Sequence, residues 1–273
     1  MITKYFGRLR QKYITGPIHP LLVNIGHRIC SIKASEIPFG FNVVEIETST
    51  ICNRKCTYCP NSKYSLGEHY ISYETLKLLL DQLSDIKYRG IITPQRFNEP
   101  LMDNRITDIC RLIKKKLIHC NIVLTTNGDL LTEEKSIELI DAGVELIRVS
   151  LHDNQHKERI LNLQSKLALR YRRKIEIRLF SDSMWLHDRA GLVDVKKPLR
   201  LKFCYSPYNY LIINYRGEIV LCHNDYFSEV ILGNVHKQNV SEIWLNSKNS
   251  LNRSNIAKGN YPFNICKKCA GIN

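Results

Sequence analysis

"CNRKCTYCP", residues 52 to 60, sets three cysteines in eight positions directly after the strand-like run VVEIE (43–47). Thiolates this close suit zinc or an iron–sulfur cluster. A structural zinc site wants four closed ligands, and no fourth Cys or His lies nearby in the chain. A cubane cluster on three protein thiolates leaves one iron open to a small molecule's amine and carboxylate. Spacing favours a cluster and leaves zinc open.

Outward from this loop, strand-like and helix-like runs alternate. GIIT (90–93), NIVLTT (121–126), ELIRVSL (145–151) and KIEIRLF (174–180) have the composition of strands. YETLKLLLDQL (73–83), NRITDICRLIKKK (104–116), TEEKSIELIDAG (132–143) and HKERILNLQSKLALRY (156–171) have helical spacing. Such a rhythm implies a parallel sheet with crossover helices, open or barrel-like, and chemistry at the carboxyl ends of its strands. After about residue 200 the pattern changes. YNYLIINYRGEIVLC reads as a hairpin turning at Arg216-Gly217. VILGNV adds a short strand, and NVSEIWLNSKNSLNR reads as one helix. Cys204, Cys222, Cys266 and Cys269 fall in this region. Alone, that quartet would read as a zinc staple.

The cysteine loop, with Tyr58 between the second and third cysteines, resembles the signature of the radical S-adenosylmethionine (radical SAM) superfamily. FNEP (97–100), TTNG (125–128) and RVSLHD (148–153) resemble its later strand-end motifs and come in family order, although the glycines of the usual Gly-Gly-Glu-Pro segment are absent. Cys204, Gly217, Cys222 and the closing CKKC resemble the SPASM/twitch appendix, as do LGNV and EIW (242–244). The resemblance implies an α/β fold: a partial (β/α)6 TIM-like barrel with a small C-terminal hairpin-and-helix iron–sulfur appendix. The divisions are an arm over 1–40, the barrel over 41–200 and the auxiliary unit over 201–273. It also implies a [4Fe–4S] cluster on Cys52, Cys56 and Cys59, with S-adenosylmethionine held near Asn98, Glu99, Asn127 and Ser150. An auxiliary [4Fe–4S] cluster falls to Cys204, Cys222, Cys266 and Cys269. Arg178, at the end of the fifth strand, is a candidate substrate contact or base, with a sheet-edge ion pair as its alternative. His152, Asp153 and His187 are weaker candidates. Cys110 reads as core packing, and Cys30 and Cys120 have no partners in sequence.

The implied chemistry is removal of a hydrogen atom from a small polar substrate by a 5′-deoxyadenosyl radical. The electron comes from a donor such as flavodoxin or ferredoxin. His223 follows Cys222 where relatives often carry a second thiol, which favours oxidation over epimerisation. A sugar, aminocyclitol or nucleotide-linked substrate is expected; a peptide maturase, and a zinc protein with a basic nucleic-acid surface, are the alternatives. Forty irregular residues before the barrel are too few for a peptide-leader domain. The chain carries 273 residues, ten cysteines and a net charge of +14. That charge would suit an anionic substrate. It is dispersed, and no groove-reading or RNP pattern accompanies it, which argues against nucleic acid. No secretory signal or membrane span is read, so a cytoplasmic setting is expected and thiols there serve metals rather than disulfides. A membrane-surface contact by the basic first 30 residues is a minor alternative to an ordinary arm.

Overall fold

A computed structural model describes residues 40–151, 154–180 and 184–272. The expected N-terminal arm, with Cys30, and the residues His152 and Asp153 lie outside that set. Eight strands form a single sheet: β1 (Val43–Ile46), β2 (Ile91–Thr93), β3 (Asn121–Thr126), β4 (Val144–Leu151), β5 (Ile175–Leu179), β6 (Tyr210–Ile213), β7 (Glu218–Val220) and β8 (Ile231–Asn234). Their order is β5-β4-β3-β2-β1-β6-β7-β8. β1 to β5 pair in parallel through crossover helices, as a partial barrel does. The sixth parallel strand, β6, comes from the hairpin. It joins the free edge of β1, with Val43 opposite Tyr210 and Ile46 opposite Ile213. β7 and β8 then continue antiparallel.

Period-2 alternation decides what each face carries. Val44, Ile46, Ile92, Ile122, Leu124, Ile147, Val149 and Leu151 are fully buried on one face. They pack against helices α1 (Tyr73–Asp85), α2 (Ile106–Lys116) and α3 (Glu133–Asp141). Leu76, Leu79, Leu80 and Leu83 of α1 recur at helical spacing and are buried in the same core. Ser72 and Thr132 cap α1 and α3 by accepting from the backbone N–H three residues on, at 3.0 and 3.1 Å. Cys110 and Cys120 belong to this core, at 0% exposure, and burial pushes the Cys110 thiol up to about 12.

Two long helical runs are each broken in the structure. HKERILNLQSKLALRY divides into α4 (Asn154–Lys166) and α5 (Leu169–Arg172). NVSEIWLNSKNSLNR divides at Asn246, which ends α7 (Val240–Leu245) and caps the start of α8 (Ser247–Ala257) with its side chain. The helix α6 (Ser206–Asn209) leads into β6, and α9 (Asn264–Ala270) carries the closing cysteine pair. The hairpin turns where expected, with Gly217 left-handed at φ 78°. No described helix is long and apolar enough to cross a membrane.

α7 lies against β8 through Gly233. A Cβ there would stand 2.6 to 2.8 Å from three carbons of Ile243, itself buried. Gly233→Ala is expected to destabilise the protein by about 1–3 kcal/mol through overpacking. Thermal unfolding checks this; an unchanged midpoint would mean that α7 is not pressed onto the sheet.

Candidate active site

The three-cysteine loop leaves the carboxyl end of β1, the edge where parallel sheets gather their functional loops. Cys59 closes a turn onto Cys56, donating its backbone N–H to that carbonyl at 2.9 Å, and starts the short 3-10 helix Pro60–Ser62. Burial raises Cys52 to about 11, and Glu99 and the two neighbouring thiols push the same way. Burial also raises Cys59 and, with Cys56 beside it, the Tyr58 phenol. The Tyr58 ring stacks on Phe180, just past β5, with centroids 5.3 Å apart. Bound iron would hold these thiols as thiolates and release their protons.

Glu99 organises the neighbouring loops. One carboxylate oxygen accepts the Thr126 hydroxyl at 2.6 Å and the Leu101 N–H at 3.1 Å. The other accepts the Asn127 N–H at 2.7 Å. The Glu99 backbone N–H donates to the Ile51 carbonyl at 2.9 Å, just before the first cysteine. Asn98 is buried and bonds to Thr48, Ser49 and the Arg96 N–H. The Asn127 side chain reaches Asn53 inside the cysteine loop at 2.7 Å. Asn53 and Arg54 of that loop both bond Asp129, Arg54 through two nitrogens at 2.5 and 2.6 Å. Thus Asn98, Glu99 and Asn127 come together around the cysteine loop. The Glu99 carboxylate is occupied by protein donors, so its part is to position backbone.

Ser150 and Arg178 meet farther along the sheet, opposite one another on β4 and β5. Arg178 pairs with Glu176 at 3.1 Å, and Arg148 pairs with the same carboxylate at 3.2 Å. Burial opposes ionisation of Glu176, but the two arginines hold it below the usual range. These side chains share the sheet face away from the helices. Glu45 of β1 shares it too, opposite Thr93 and Ile212.

The rear cysteines converge. Cys204, Cys222, Cys266 and Cys269 line one small, largely apolar recess, partly open to solvent, with His187, His223 and Tyr261 at its walls. Burial, then the neighbouring thiols, raises Cys266 to about 12 and Cys222 upward; burial alone dominates Cys204, also at about 12. Among the described residues, no three Cys, His, Asp or Glu side chains converge on a point that would hold a single ion. Four thiols lining one recess are a donor set that fits an iron–sulfur cluster.

Tyr226 joins the two cysteine regions. It is fully buried, and its hydroxyl donates to Asn61 at 2.7 Å, just past Cys59. Asn61 in turn donates to the Phe97 carbonyl at 2.8 Å. Arg96 is buried against Glu47 at 3.3 Å and also bonds the Asp225 carbonyl. Arg189 is a further site residue that motif reading passes over. Its backbone is left-handed at φ 53°, as is Ala190 at 57°. Such non-glycine residues cost about 1–3 kcal/mol each. Its guanidinium lies over Phe97, bonds Asn224 at 2.9 Å, and pulls against the burial that raises both Cys59 and Cys269.

Glu99→Gln keeps the side chain's size but turns an NH2 group toward one of its donors. The expected loss is about 1–3 kcal/mol from a buried unpaired group, read as a melting point several degrees lower in anaerobic, reconstituted protein. Weaker S-adenosylmethionine binding should accompany it. Unchanged melting and binding would show that the carboxylate does not tie these loops.

Comparison with known proteins agrees with this geometry. The family model described as the radical SAM superfamily matches residues 46–190, more than half of the chain. A second, described as an iron–sulfur cluster-binding (SPASM) domain, matches 204–270. A curated relative from Niallia circulans, the S-adenosyl-L-methionine-dependent 2-deoxy-scyllo-inosamine dehydrogenase, is 26% identical over 238 residues, covering 85% of this chain and 94% of that protein. The crystal structure of BtrN in complex with AdoMet and 2-DOIA superposes with a TM-score of 0.76 at 27% identity, covering 84% of this chain and 92% of that one. The peptide-bound structure of anSMEcpe, at 14% identity and a TM-score of 0.55 over 84% and 88% of the two chains, shares the fold. With its cysteine loop, ordered strand-end motifs and matching fold, the chain belongs to the radical SAM superfamily.

Proposed function

We propose that this oxidoreductase converts a secondary alcohol of an aminocyclitol to a ketone. The observation that carries the reading is the placement of two cysteine sets beside one partial barrel. A three-thiol set lies on the β1 loop and a four-thiol set lies in the C-terminal recess, joined through Tyr226 and Asn61. The near full-length similarity to an aminocyclitol dehydrogenase supports the substrate class. The division into a barrel over 41–200 and an auxiliary unit over 201–273 accords with the two family matches.

In this reading Cys52, Cys56 and Cys59 hold the front cluster, and Cys204, Cys222, Cys266 and Cys269 the rear one. When bound, S-adenosylmethionine and the clusters supply a 5′-deoxyadenosyl radical and an acceptor for the second electron. The chain does the rest. Glu99 fixes the backbone of 98–101 and 126–127 beside the cysteine loop, where a cofactor's methionyl end would lie. The Arg96–Glu47 pair and Phe97 wall the site against water. Arg148, Glu176 and Arg178 form a fixed charged ladder on the far strands, beside Ser150. A donor of the flavodoxin or ferredoxin class supplies the first electron, and a cytoplasmic setting suits it.

Oxidation is favoured over epimerisation by the placement of thiols. Epimerisation needs a hydrogen donor facing the substrate radical. Among the described residues, the two thiols outside the cysteine sets, Cys110 and Cys120, are sealed in the helix-side core.

The test is anaerobic turnover in heavy water with S-adenosylmethionine, a reductant and 2-deoxy-scyllo-inosamine. One keto product per 5′-deoxyadenosine is expected, and recovered substrate should carry no carbon-bound deuterium. Deuterated, inverted cyclitol would indicate epimerisation. Cleavage of the cofactor with no cyclitol changed would overturn the substrate class. Cys266→Ala is expected to retain cofactor cleavage and lose ketone formation by at least about tenfold; unchanged turnover would remove the rear set from the reaction.

A further inference from the structure

Glu45 is an acidic residue inside a strand whose neighbours, Val44 and Ile46, are fully buried in the helix-side core. Alternation turns Glu45 to the opposite face, between Thr93 of β2 and Ile212 of β6. Ile212 is also absent from the helix-side core although it is fully buried, which agrees with that placement. The other carboxylates around the site are engaged. Glu47 takes Arg96 and the Tyr215 N–H. Glu99 takes three donors, and Glu176 takes two arginines. No side-chain hydrogen bond or ion pair to another described residue is formed by Glu45. A partly buried carboxylate with no protein donor is an acceptor open to a ligand.

We propose that Glu45 receives the protonated amine of the substrate and thereby selects aminated cyclitols over their all-hydroxyl counterparts. This rests on the aminocyclitol reading and deepens it. It also departs from the anionic substrate that the net charge suggests. Arg148 and Arg178 of the far strands share Glu176, and Arg96 holds Glu47, while Glu45 takes no such partner among the described residues.

The proposal has a pH signature. Burial raises the Glu45 carboxyl to about 7; Arg96 from the β2 loop and Arg189 from the segment before β6 pull it down, and Glu47 on its own strand pushes it up. β2 and β6 otherwise offer it Thr93 and Ile212, which do not titrate. Below that value the free site carries a proton and cannot pair with an ammonium. An alkyl ammonium stays charged throughout. Affinity for an amine therefore rises as pH rises through 7, by about eightfold from pH 6 to 7.5. Affinity for a hydroxyl analogue stays flat.

The experiment is calorimetric titration of reconstituted, S-adenosylmethionine-bound protein, kept anaerobic, with two probes. One is 2-deoxy-scyllo-inosamine; the other is the same ring with a hydroxyl in place of the amine. Wild type should bind the amine at least about tenfold more tightly at pH 7.5. Glu45→Gln should erase the preference and the pH dependence while still binding the hydroxyl ring. Glu45→Asp should keep the pH dependence with a smaller preference. If Glu45→Gln fails to fold, the wild-type pH profiles decide alone. Preference retained in Glu45→Gln, or a flat amine profile in wild type, overturns the proposal and leaves the aminocyclitol reading standing. No binding of either ring to wild type overturns both.

Discussion

Pairing of β6 with β1 is the constraint on which the rest of the site depends. β1 carries the cysteine loop at its carboxyl end. Its one edge takes β2 and its other takes Tyr210–Ile213, so the first strand of the barrel becomes an interior strand of an eight-stranded sheet. The C-terminal hairpin cannot then swing free of the barrel. Cys222, two residues past β7, is held a short distance along the same sheet from the loop that carries Cys52, Cys56 and Cys59. Without this edge pairing, the Tyr226–Asn61 bond and the Arg96 contact to the Asp225 carbonyl would have no fixed geometry.

Charge is arranged on the inner face in the same economical way. Buried ions are tolerated when partnered, and three pairs here join separate elements: Glu47 with Arg96, Glu176 of β5 with Arg148 of β4, and Asp129 with Arg54. Arg178 adds a pair to Glu176 along β5 itself. The exception on β1 is Glu45, and exceptions of this kind are where a ligand completes the accounting. The left-handed pair Arg189 and Ala190 stores strain between the two cysteine regions, where function more than stability would retain it.

Local features were legible in the sequence and non-local ones were not. NIVLTT is the observed strand to the residue, because its β-branched, apolar composition and the Asn127-Gly128 pair after it agree. The cysteine sets announce themselves by spacing, and the hairpin turn by Arg216-Gly217. Helical spacing ran across Leu167-Ala168 and across Asn246 because apolar periodicity does not register a cap inside a run; Asn246 is the missed signal, a capping residue before Ser-Lys-Asn. The β6–β1 pairing joins residues more than 160 positions apart, and no local pattern encodes such a partner. Arg178 reads equally as a cavity residue or an edge ion pair, and the structure gives it the Glu176 partner on the edge strand β5. Glu45 was hidden inside VVEIE, where an acidic residue on an alternating strand looks solvent-facing until the second face proves to be an enclosed one. Arg189 has no motif, since its distinction is a backbone angle.

The central claim is that two separate thiol sets hold two iron–sulfur clusters and that the front one depends on the β1 loop alone. Iron and sulfide content with a visible spectrum, measured anaerobically on wild type and on the Cys52/Cys56/Cys59 triple alanine variant, tests it most directly. About eight irons in wild type, falling to about four with a retained brown spectrum, is the predicted result. Iron unchanged by the triple substitution, or a colourless protein holding zinc after anaerobic reconstitution, would contradict it.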